Sequence, residues 1–472
     1  MKFVRWVFIV CLLHFASRGV AQTELKNTVL DGESFQPLES ASVYIKNTTI
    51  GTITNTDGKF VLVVPNKHIK DTLIISSIGF KSYKIPVGEF DSSFDIYLDP
   101  DVASLDEVLL VAETRPKTGN DIMLRVLEEL PNNLPDSSFL QKGFLRHKER
   151  NKKEFKWLIE SAITLYDPGF DSIFKGDVKI NVDQVRKSYD LRDVDSLLTY
   201  TSYLRNKGIQ LKSRNLNRDT IETVSLIKAI KWNDNRINGL ETLFQGKLNM
   251  VRNSGNDKSL FDIEDILRKH QFRLDTVLVE NDRKIYKIEI SESLDFVNLE
   301  TRGVFNDGFQ PKGWVYIYWD TYAIKRIEYE LHAASEAQRS RSKTLFDTYL
   351  NHKLVITYKE YQEKMYLNYI YYETPKLVNV GVAKDDPRTE VDESAVNKDE
   401  RYYYTIQEIL FTEIITDQNS VLESLSKDWD ADMFSPKPYD KVFWKNYNTL
   451  LESEEEEKLI QDLTKRYSLF KE

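Results

Sequence analysis

The sequence predicts an α+β protein, in which an N-terminal all-β sandwich precedes a larger domain with helices and an antiparallel sheet that can curl into a half-barrel. Three observations lead to this fold class. Seven short β-rich segments follow one another within residues 22–100, separated by turn residues. Apolar residues recur at helical spacing from residue 120, and from residue 283 they alternate with period two.

The first 21 residues have the three parts of a secretory signal peptide. Lys2 and Arg5 give a positive start, residues 7–13 form a short apolar core, and Gly19-Val20-Ala21 supplies small residues for cleavage. The alternative is an uncleaved membrane anchor, for which the apolar run is short. We therefore expect a mature chain that begins near Gln22.

The cysteine count and the net charge exclude several kinds of site and partner. Cys11 is the only cysteine and lies within the signal, so the mature chain has no disulfide and no thiolate metal site. Loss of Lys2, Arg5 and Arg18 leaves 62 basic and 74 acidic residues, a net charge of −12. Such a balance argues against a nucleic acid as partner. After residue 21 the sequence contains no run of about 20 apolar residues. We therefore expect no transmembrane span once the signal has been cleaved.

The predicted sandwich, residues 22–100, contains seven candidate strands: 28–30, 41–45, 51–54, 60–64, 72–76, 80–85 and 94–98. Asp57-Gly58 predicts a tight hairpin between the third and fourth of them, with Gly58 at positive φ. Phe60, Leu62 and Val64 alternate with other valines, which predicts a fourth strand covered on both faces.

Residues 29–65 and 73–87 resemble the carboxypeptidase regulatory-like domain, which heads many TonB-dependent receptors and other exported proteins of Gram-negative bacteria. Asn27, just before the first of these segments, stands where the domain usually has a glycine. Asparagine also tolerates a left-handed backbone conformation. The resemblance implies a transthyretin-like sandwich and no catalytic residues. After residue 112 the chain lacks the repeated strands of a receptor barrel. The matching residues are Pro37-Leu38, Ala41, Val43, Gly51, Thr54, Asp57-Gly58, Phe60, Pro65 and Ile78-Gly79-Phe80.

A polar linker, residues 101–119, leads to a predicted α+β domain, residues 120–420. Asn120 can cap a helix that ends at Pro131. The following stretch resembles a group of uncharacterised exported proteins that join the same sandwich to a C-terminal domain. That group has no established activity to carry over. The matching segments are Asn133-Leu134-Pro135, Gly143–Arg146, Glu160–Ala162 and Tyr166–Phe170.

In the rest of the chain, segments with weak hydrophobic periodicity alternate with segments in which the periodicity is strong. Residues 175–262 predict helices and long loops, and residues 384–400 predict a charged loop. Residues 421–472 predict a tail with a docked terminal helix. Antiparallel strands are expected at 283–290, 313–320, 323–331, 353–361, 365–372 and 401–416.

An aromatic strand offers the best candidate binding surface. Alternation places Trp314, Tyr316 and Tyr318 on one face of it, with Trp319 on the other. We take these four residues as ligand-binding candidates, with packing of the sheet as the alternative. Residues 314–331 also look like the strand–turn–strand repeat of periplasmic lipoprotein-carrier proteins, whose half-barrel holds acyl chains.

Motifs for catalysis and cofactors are missing from the sequence. No HExxH, GxSxG, P-loop or GxGxxG pattern occurs, which predicts no metal, no cofactor and no nucleotide. Paired carboxylates can act without a motif, so Glu160, Asp167 and Asp320 are the acids to inspect. The mature chain has five scattered histidines: His68, His147, His270, His332 and His352.

These observations favour a non-catalytic binding or scaffold protein of the bacterial cell envelope, located in the periplasm or peripheral to the outer membrane. Its partner would be an envelope protein, a glycan or a lipid. One alternative is a periplasmic carrier of a lipid or other apolar ligand, which requires an apolar cavity under the sheet. The other is a hydrolase with dispersed carboxylates, which requires a cleft with two close acids.

Overall fold

The structure, a computed structural model, divides the chain into two compact units. Unit 1 comprises Met1–Pro100 and Val442–Ser453, and unit 2 comprises Asp101–Lys441 and Glu454–Glu472. The predicted signal peptide, linker residues 102–114 and loop residues 384–399 lie outside the described residues. The described residues are 22–101, 115–150, 155–170, 178–189, 197–210, 221–240, 243–244, 270–291, 308–337, 339–340, 343, 349, 351–379 and 400–466.

Unit 1 is a sandwich of two small sheets around one apolar core, as predicted. One sheet has the strand order β4-β1-β7 and the other β3-β2-β5-β6. Phe60 and Leu62 of the first sheet and Val43 and Leu73 of the second belong to the same buried cluster. The strands are β1 (Gln22–Asp31), β2 (Ser42–Ile45), β3 (Gly51–Ile53), β4 (Lys59–Pro65), β5 (Thr72–Ser76), β6 (Tyr83–Pro86) and β7 (Ile96–Leu98).

The Asp57-Gly58 turn forms, with Gly58 at φ +72°, but the predicted hairpin around it is wrong. Strand β3 pairs with β2 and β4 pairs with β1, so the turn carries the chain from one sheet to the other. The fourth strand is also not covered on both faces. Phe60, Leu62 and Val64 are buried, while the residues between them are half-buried. The residues of the turn determine that the chain reverses its direction there. The strands with which β3 and β4 pair are determined by the burial of segments that are distant in the sequence.

Unit 2 is built on one open antiparallel sheet of ten strands, in the order β10-β9-β8-β17-β16-β15-β14-β13-β12-β11. The strands are β8 (Phe139–Arg150), β9 (Phe155–Asp167), β10 (Lys179–Tyr189), β11 (Gln271–Glu280), β12 (Arg283–Ser291), β13 (Phe309–Tyr318), β14 (Ile324–Ala333), β15 (His352–Tyr361), β16 (Lys364–Asn379) and β17 (Glu400–Ile415). The predicted strands from residue 283 onward are all present.

Strand β10 lies where the sequence predicted only helices and loops, so that prediction is wrong for residues 179–189. Ile180, Val182 and Val185 are its buried apolar residues. A bulge between Val182 and Gln184 shifts the pairing with β9 by one residue. The extra residue breaks the period-two pattern, and this interruption hides the strand in the sequence.

The sheet has one apolar and one charged face, each marked by a cross-strand row. The row on the apolar face is at most 2% exposed at every position. Both rows follow from the strand register. The apolar row consists of Leu145, Ile409, Ile370, Ile356, Ile327, Val315 and Ile288. The charged row consists of Arg186, Glu160, Arg146, Glu408, Tyr371, Val355, Glu328, Trp314, Glu289 and Arg273.

Six α-helices with defined bounds lie in the described part of the chain, and the first begins differently from the prediction. Its N-cap is Thr118, whose hydroxyl accepts a hydrogen bond from the Asp121 amide at 3.1 Å. Asn120 instead accepts a hydrogen bond from the Phe272 amide at 3.0 Å. The helices are α1 (Gly119–Asn133), α2 (Leu197–Asn206), α3 (Thr223–Asn238), α4 (Gln418–Leu425), α5 (Lys441–Lys445) and α6 (Glu454–Arg466).

Helix α6 docks on unit 2, as predicted for the terminal helix. Its Leu463 forms a buried cluster with Phe155 and Leu158 of β9. The ammonium of Lys148 lies 2.6 Å from the carboxylate of Glu456 on this helix. The helix therefore joins the sheet through apolar packing and an ion pair.

Candidate ligand-binding groove

The predicted aromatic residues lie on and just after β13. Trp314 is 37% exposed on the charged face, with the ammonium of Lys287 at 4.9 Å from its ring centroid. Tyr316 and Tyr318 share that face and are buried. Burial raises the pKa of the Tyr318 hydroxyl to about 12, so this phenol stays neutral at physiological pH.

Trp319 follows β13 and has different neighbours. Its ring centroid lies 4.6 Å from that of Tyr286 and 4.7 Å from the guanidinium carbon of Arg115. Arg115 also donates a hydrogen bond to the Trp319 carbonyl oxygen. The structure thus brings three of the four predicted residues together on one face and separates the fourth. Their role in ligand binding stays a prediction.

Glu160 is buried between two arginines. Arg146 donates two hydrogen bonds to one oxygen of this carboxylate, at 2.8 and 3.0 Å, and Arg186 donates one to the other at 2.6 Å. Burial alone would raise the pKa of Glu160, but the two guanidinium groups outweigh this effect and lower the pKa. Glu160 is therefore an anion held in a structural network.

Asp167 and Asp320 support turns. Asp167 accepts a hydrogen bond from the Gly169 amide at 2.9 Å. Asp320 accepts one from the Thr321 amide at 2.9 Å and pairs with the guanidinium of Arg283 at 2.8 Å. Burial raises the pKa of Asp320, and the stronger effect of Arg283 lowers it overall. The three acids selected from the sequence lie in three separate places.

The five histidines are also dispersed, and each contacts a different side chain. No group of three or more histidine, cysteine or acidic residues within the described ranges could hold a metal ion. The contacts are His68 with Asp71, His147 with Asp234, His270 with Tyr329, His332 with Glu330, and His352 with the ring of Phe309.

A groove of about 340 Å³ opens on the charged face of the sheet, where β8, β9 and β10 run side by side. Its floor consists of neighbours in two cross-strand rows. Lys142, Thr164 and Asn181 lie next to one another in the first row. Leu140 and Ile415 are neighbours in the second. Because alternate residues of a strand share a face, three strands present these side chains together.

The wall of the groove consists of α4 and the segment that follows it. Ser420, Glu423 and Ser424 come from the helix, and Lys427, Asp428 and Trp429 from the segment. The side chain of Asp417 caps α4 by accepting a hydrogen bond from the Ser420 amide. The Trp429 indole N–H donates to the Ser424 carbonyl oxygen at 3.2 Å, which fixes the position of the ring.

One chain of hydrogen bonds fixes the polar side of the groove. Asp183, at the bulge of β10, accepts hydrogen bonds from the Thr164 hydroxyl and the Asn181 amide, both at 2.6 Å. Asn181 in turn accepts a hydrogen bond from the Asp430 amide at 3.0 Å. These side chains are thus held in one geometry without a ligand, which lowers the entropic cost of binding.

No groove residue was selected from the sequence. The signals that exist are weak ones: a tryptophan just after a capped helix, and polar residues on alternate positions of β9 and β10. Because the lining residues come from residues 140–142, 164, 181–183 and 415–429, only the register brings them together.

The apolar face leaves no space beside Val315 and Ile317, which belong to one of the two residue sets that a carrier cavity could use. Val315 and Ile317 are 1% and 0% exposed. A void large enough for water next to these side chains would make them accessible, so the face is packed around them. Among the described residues, no helix has the length and hydropathy needed to cross a membrane.

Comparison with known proteins confirms the resemblance of the N-terminal part. Residues 25–110 match the CarboxypepD_reg-like domain. The chain is 32% identical over 120 residues to the TonB-dependent receptor P39 of Formosa agariphila, covering 24% of this chain and 11% of that receptor. It is 32% identical over 113 residues to the TonB-dependent receptor SusC of Bacteroides thetaiotaomicron, covering 24% and 10%. The chain thus spans about a tenth of the length of these curated relatives.

Among solved structures, a DUF1329 family protein from Desulfovibrio piger is similar over 63% of this chain and 92% of its own. The sequence identity is 10% and the TM-score is 0.21.

Proposed function

We propose that this chain is a non-catalytic binding protein of the bacterial cell envelope, and that the groove of unit 2 holds its ligand. The observation that carries the proposal is the groove itself. Its volume of about 340 Å³ falls at the lower end of small-molecule sites. Its polar side chains are already fixed by hydrogen bonds to one another. Such preorganisation favours a binding role.

The envelope location rests on the N-terminal part of the chain. A CarboxypepD_reg-like domain matches residues 25–110, and similar segments occur in two TonB-dependent receptors. The sequence also has the pattern of a secretory signal in its first 21 residues. Together these features support an exported protein, in the periplasm or peripheral to the outer membrane.

The alternative functions have less support. An acyl-chain carrier needs apolar space beside β13, where Val315 and Ile317 of one face are fully packed and Tyr316 and Tyr318 of the other face are buried. A carboxylate hydrolase needs two acids at a set distance across a cleft. Of the acids selected from the sequence, Glu160 is instead buried between two arginines, and Asp320 is paired with Arg283. Of the acids in the groove, Asp183 accepts hydrogen bonds from Thr164 and Asn181, and Glu423 is paired with Lys427.

Native mass spectrometry of the protein purified from its own cell envelope tests the proposal. We expect a bound small molecule on the wild-type chain, reduced by the double variant Asp183→Asn with Trp429→Ala. Trp232→Ala is the matched control, because this half-buried tryptophan of α3 lies outside the groove, and it should retain the molecule.

Three results would contradict the proposal. An acyl-chain adduct that survives the groove variants would favour the carrier. A ligand returned with a changed mass after incubation would favour the hydrolase. Fractionation that places the protein in the cytoplasm would remove the envelope role.

A further inference from the structure

We infer that the ligand of the groove is a short neutral carbohydrate, which stacks on Trp429 and bonds to the polar side chains of β9 and β10. This inference rests on the proposed binding role of the groove. It adds the chemical class of the ligand, which follows from the ring, the hydrogen-bonding groups and the charges of the lining.

The first argument is the ring. Trp429 is half-buried, so part of its surface lines the groove while the rest is held by the protein. Its indole N–H is bound to the Ser424 carbonyl, and its ring lies edge-on to Tyr166 at 6.4 Å between centroids. A fixed aromatic face offers a large contact area at a low cost in conformational entropy. The C–H side of a sugar ring matches such a face.

The second argument is the hydrogen-bonding capacity that remains on the opposite side. Asp183 accepts two hydrogen bonds from within the protein, and a carboxylate has about four lone-pair positions. Asn181 uses one of its two amide hydrogens on Asp183, so the other can serve a ligand. The groove therefore combines acceptors with donors, and a sugar hydroxyl acts as both.

The third argument is charge. Lys142 pairs with Glu413 at 2.9 Å, and Lys427 pairs with Glu423 at 3.3 Å. Both lysines of the lining thus already have anionic neighbours, and Asp183 adds a further negative charge. A phosphate or a carboxylate ligand would meet repulsion there. An acyl chain would desolvate the polar side chains without replacing their hydrogen bonds.

Titration calorimetry and tryptophan fluorescence on the mature full-length chain test the inference. The probes are neutral gluco-, galacto-, manno- and xylo-trisaccharides, a uronic-acid trisaccharide, glucose 6-phosphate and a fatty acid. We expect saturable binding of at least one neutral trisaccharide. Trp429→Ala and Asp183→Asn should each weaken it by about tenfold or more, the effect of losing one stacking or charged hydrogen-bond contact.

Matched substitutions outside the groove serve as controls. Trp232→Ala removes a half-buried tryptophan of α3, and Asp275→Asn removes an exposed carboxylate of β11 that pairs with Lys287; both should leave the affinity unchanged within about twofold. Trp314→Ala is measured separately, as the test of the aromatic strand as a rival site. Circular dichroism and thermal unfolding verify the fold of each variant. If Trp429→Ala does not fold, Trp429→Phe keeps an aromatic ring, and Asp183→Asn alone then decides the outcome.

The outcomes separate the ligand class from the proposed function. If only the uronic acid or the phosphate binds, and groove variants abolish that binding, the carbohydrate is not neutral; the inference fails while the binding role stands. Failure of every neutral saccharide to bind also overturns the inference. Saccharide binding that Trp314→Ala removes and Trp429→Ala does not would move the site to the aromatic strand and overturn both.

Discussion

Glu160 shows how much a single buried carboxylate contributes to unit 2. It is 1% exposed and is the shared partner of Arg146 and Arg186. Glu160→Gln would leave two guanidinium groups facing each other without an anion. We expect a loss of about 3–5 kcal/mol in the free energy of unfolding, measured by urea denaturation.

The matched control lies in the same cross-strand row. Glu289 pairs with Arg273 at the other end of the sheet, where the arginine side chain is 70% exposed. Glu289→Gln should therefore cost under about 1 kcal/mol, since solvent screens an exposed pair. Equal losses for the two variants would show that burial does not set the strength of the charged row.

Glu456 gives unit 2 a dependence on pH. Burial raises the pKa of its carboxyl, but Lys148 and Arg150 outweigh burial and lower the pKa from 4.5 to about 2. The stabilisation is complete above the unfolded pKa of 4.5 and disappears as the pH falls through about 2. We expect Glu456→Gln to cost on the order of 2 kcal/mol at pH 7 and progressively less below pH 4.5.

Urea denaturation of the wild type and Glu456→Gln between pH 7 and pH 3 measures this difference. A gap between the two proteins that stays constant over the whole range would contradict the lowered pKa. Glu455→Gln, next in sequence on the exposed side of α6, should follow the wild type at each pH.

A comparison of two glycines distinguishes the energetic cost of backbone strain from that of a steric clash. Gly58 and Gly208 have similar φ values, +72° and +79°. A Cβ at Gly58 would lie 2.5 Å from the Val29 carbonyl oxygen, while nothing lies within 4 Å at Gly208. We expect Gly208→Ala to cost about 1 kcal/mol and Gly58→Ala clearly more, because only the second adds a clash. Equal costs in thermal unfolding would mean that the turn relaxes.

At the scale of elements, the positions of most strands could be predicted from the sequence, because local residue patterns determine them. The pairing of strands that are distant in the sequence could not. The strands from residue 283 onward follow the prediction because period-two alternation of apolar residues is a local signal. The pairing of β3 with β2 was not predicted, because the partner depends on which faces become buried. Strand β10 was missed because its bulge interrupts the alternation.

The groove was beyond prediction for the same reason. Lys142, Thr164 and Asn181 are ordinary polar residues on three separate strands, and none belongs to a motif. These three residues are neighbours only in the observed strand register. That register is fixed by the burial of the row around Leu145 and Ile409 on the opposite face of the sheet. A shift of one residue would move every side chain of that row to the charged side.

Leu463 is the fully buried residue among the apolar contacts that hold helix α6, and its contribution can be tested by mutation. Leu463 is 2% exposed and packs against Phe155 and Leu158. Leu463→Asp places a charge in that cluster and should release the helix, so amide hydrogens of residues 454–466 exchange faster in mass spectrometry. Lys458→Asp, on the exposed side, should leave exchange unchanged, apart from a small effect of charge. Slow exchange in Leu463→Asp would show that the ion pair with Lys148 suffices.

At the scale of the molecule, unit 1 is made from two distant parts of the chain. Residues 442–453 belong to it together with the sandwich. The Asn448 side chain accepts a hydrogen bond from the Val63 amide at 2.9 Å and donates one to the Val63 carbonyl. Asn55 donates a hydrogen bond to the Glu452 carbonyl at 2.8 Å. The late segment thus covers part of the edge strand β4, whose backbone would otherwise be open to pairing.

A fragment of residues 22–101 should therefore be soluble and fold by itself, but with less stability than the complete unit. Joining residues 442–453 to it through a flexible linker should raise the free energy of unfolding by about 1–3 kcal/mol. The same fusion with Asn448→Ala should lose part of that gain. Identical denaturation curves for the fragment and the fusion would show that the segment adds nothing to the sandwich.

The division of unit 1 between residues 22–100 and 442–453 has a consequence for the order of synthesis. The sandwich leaves the ribosome early, yet its edge stays uncovered until more than 300 further residues have been made. A stop codon that removes residues after 441 would spare every strand that the structure describes, but it would remove both the segment that completes unit 1 and helix α6 of unit 2. Truncated chains of this kind should stand out by protease sensitivity near their beginning, far from the lesion.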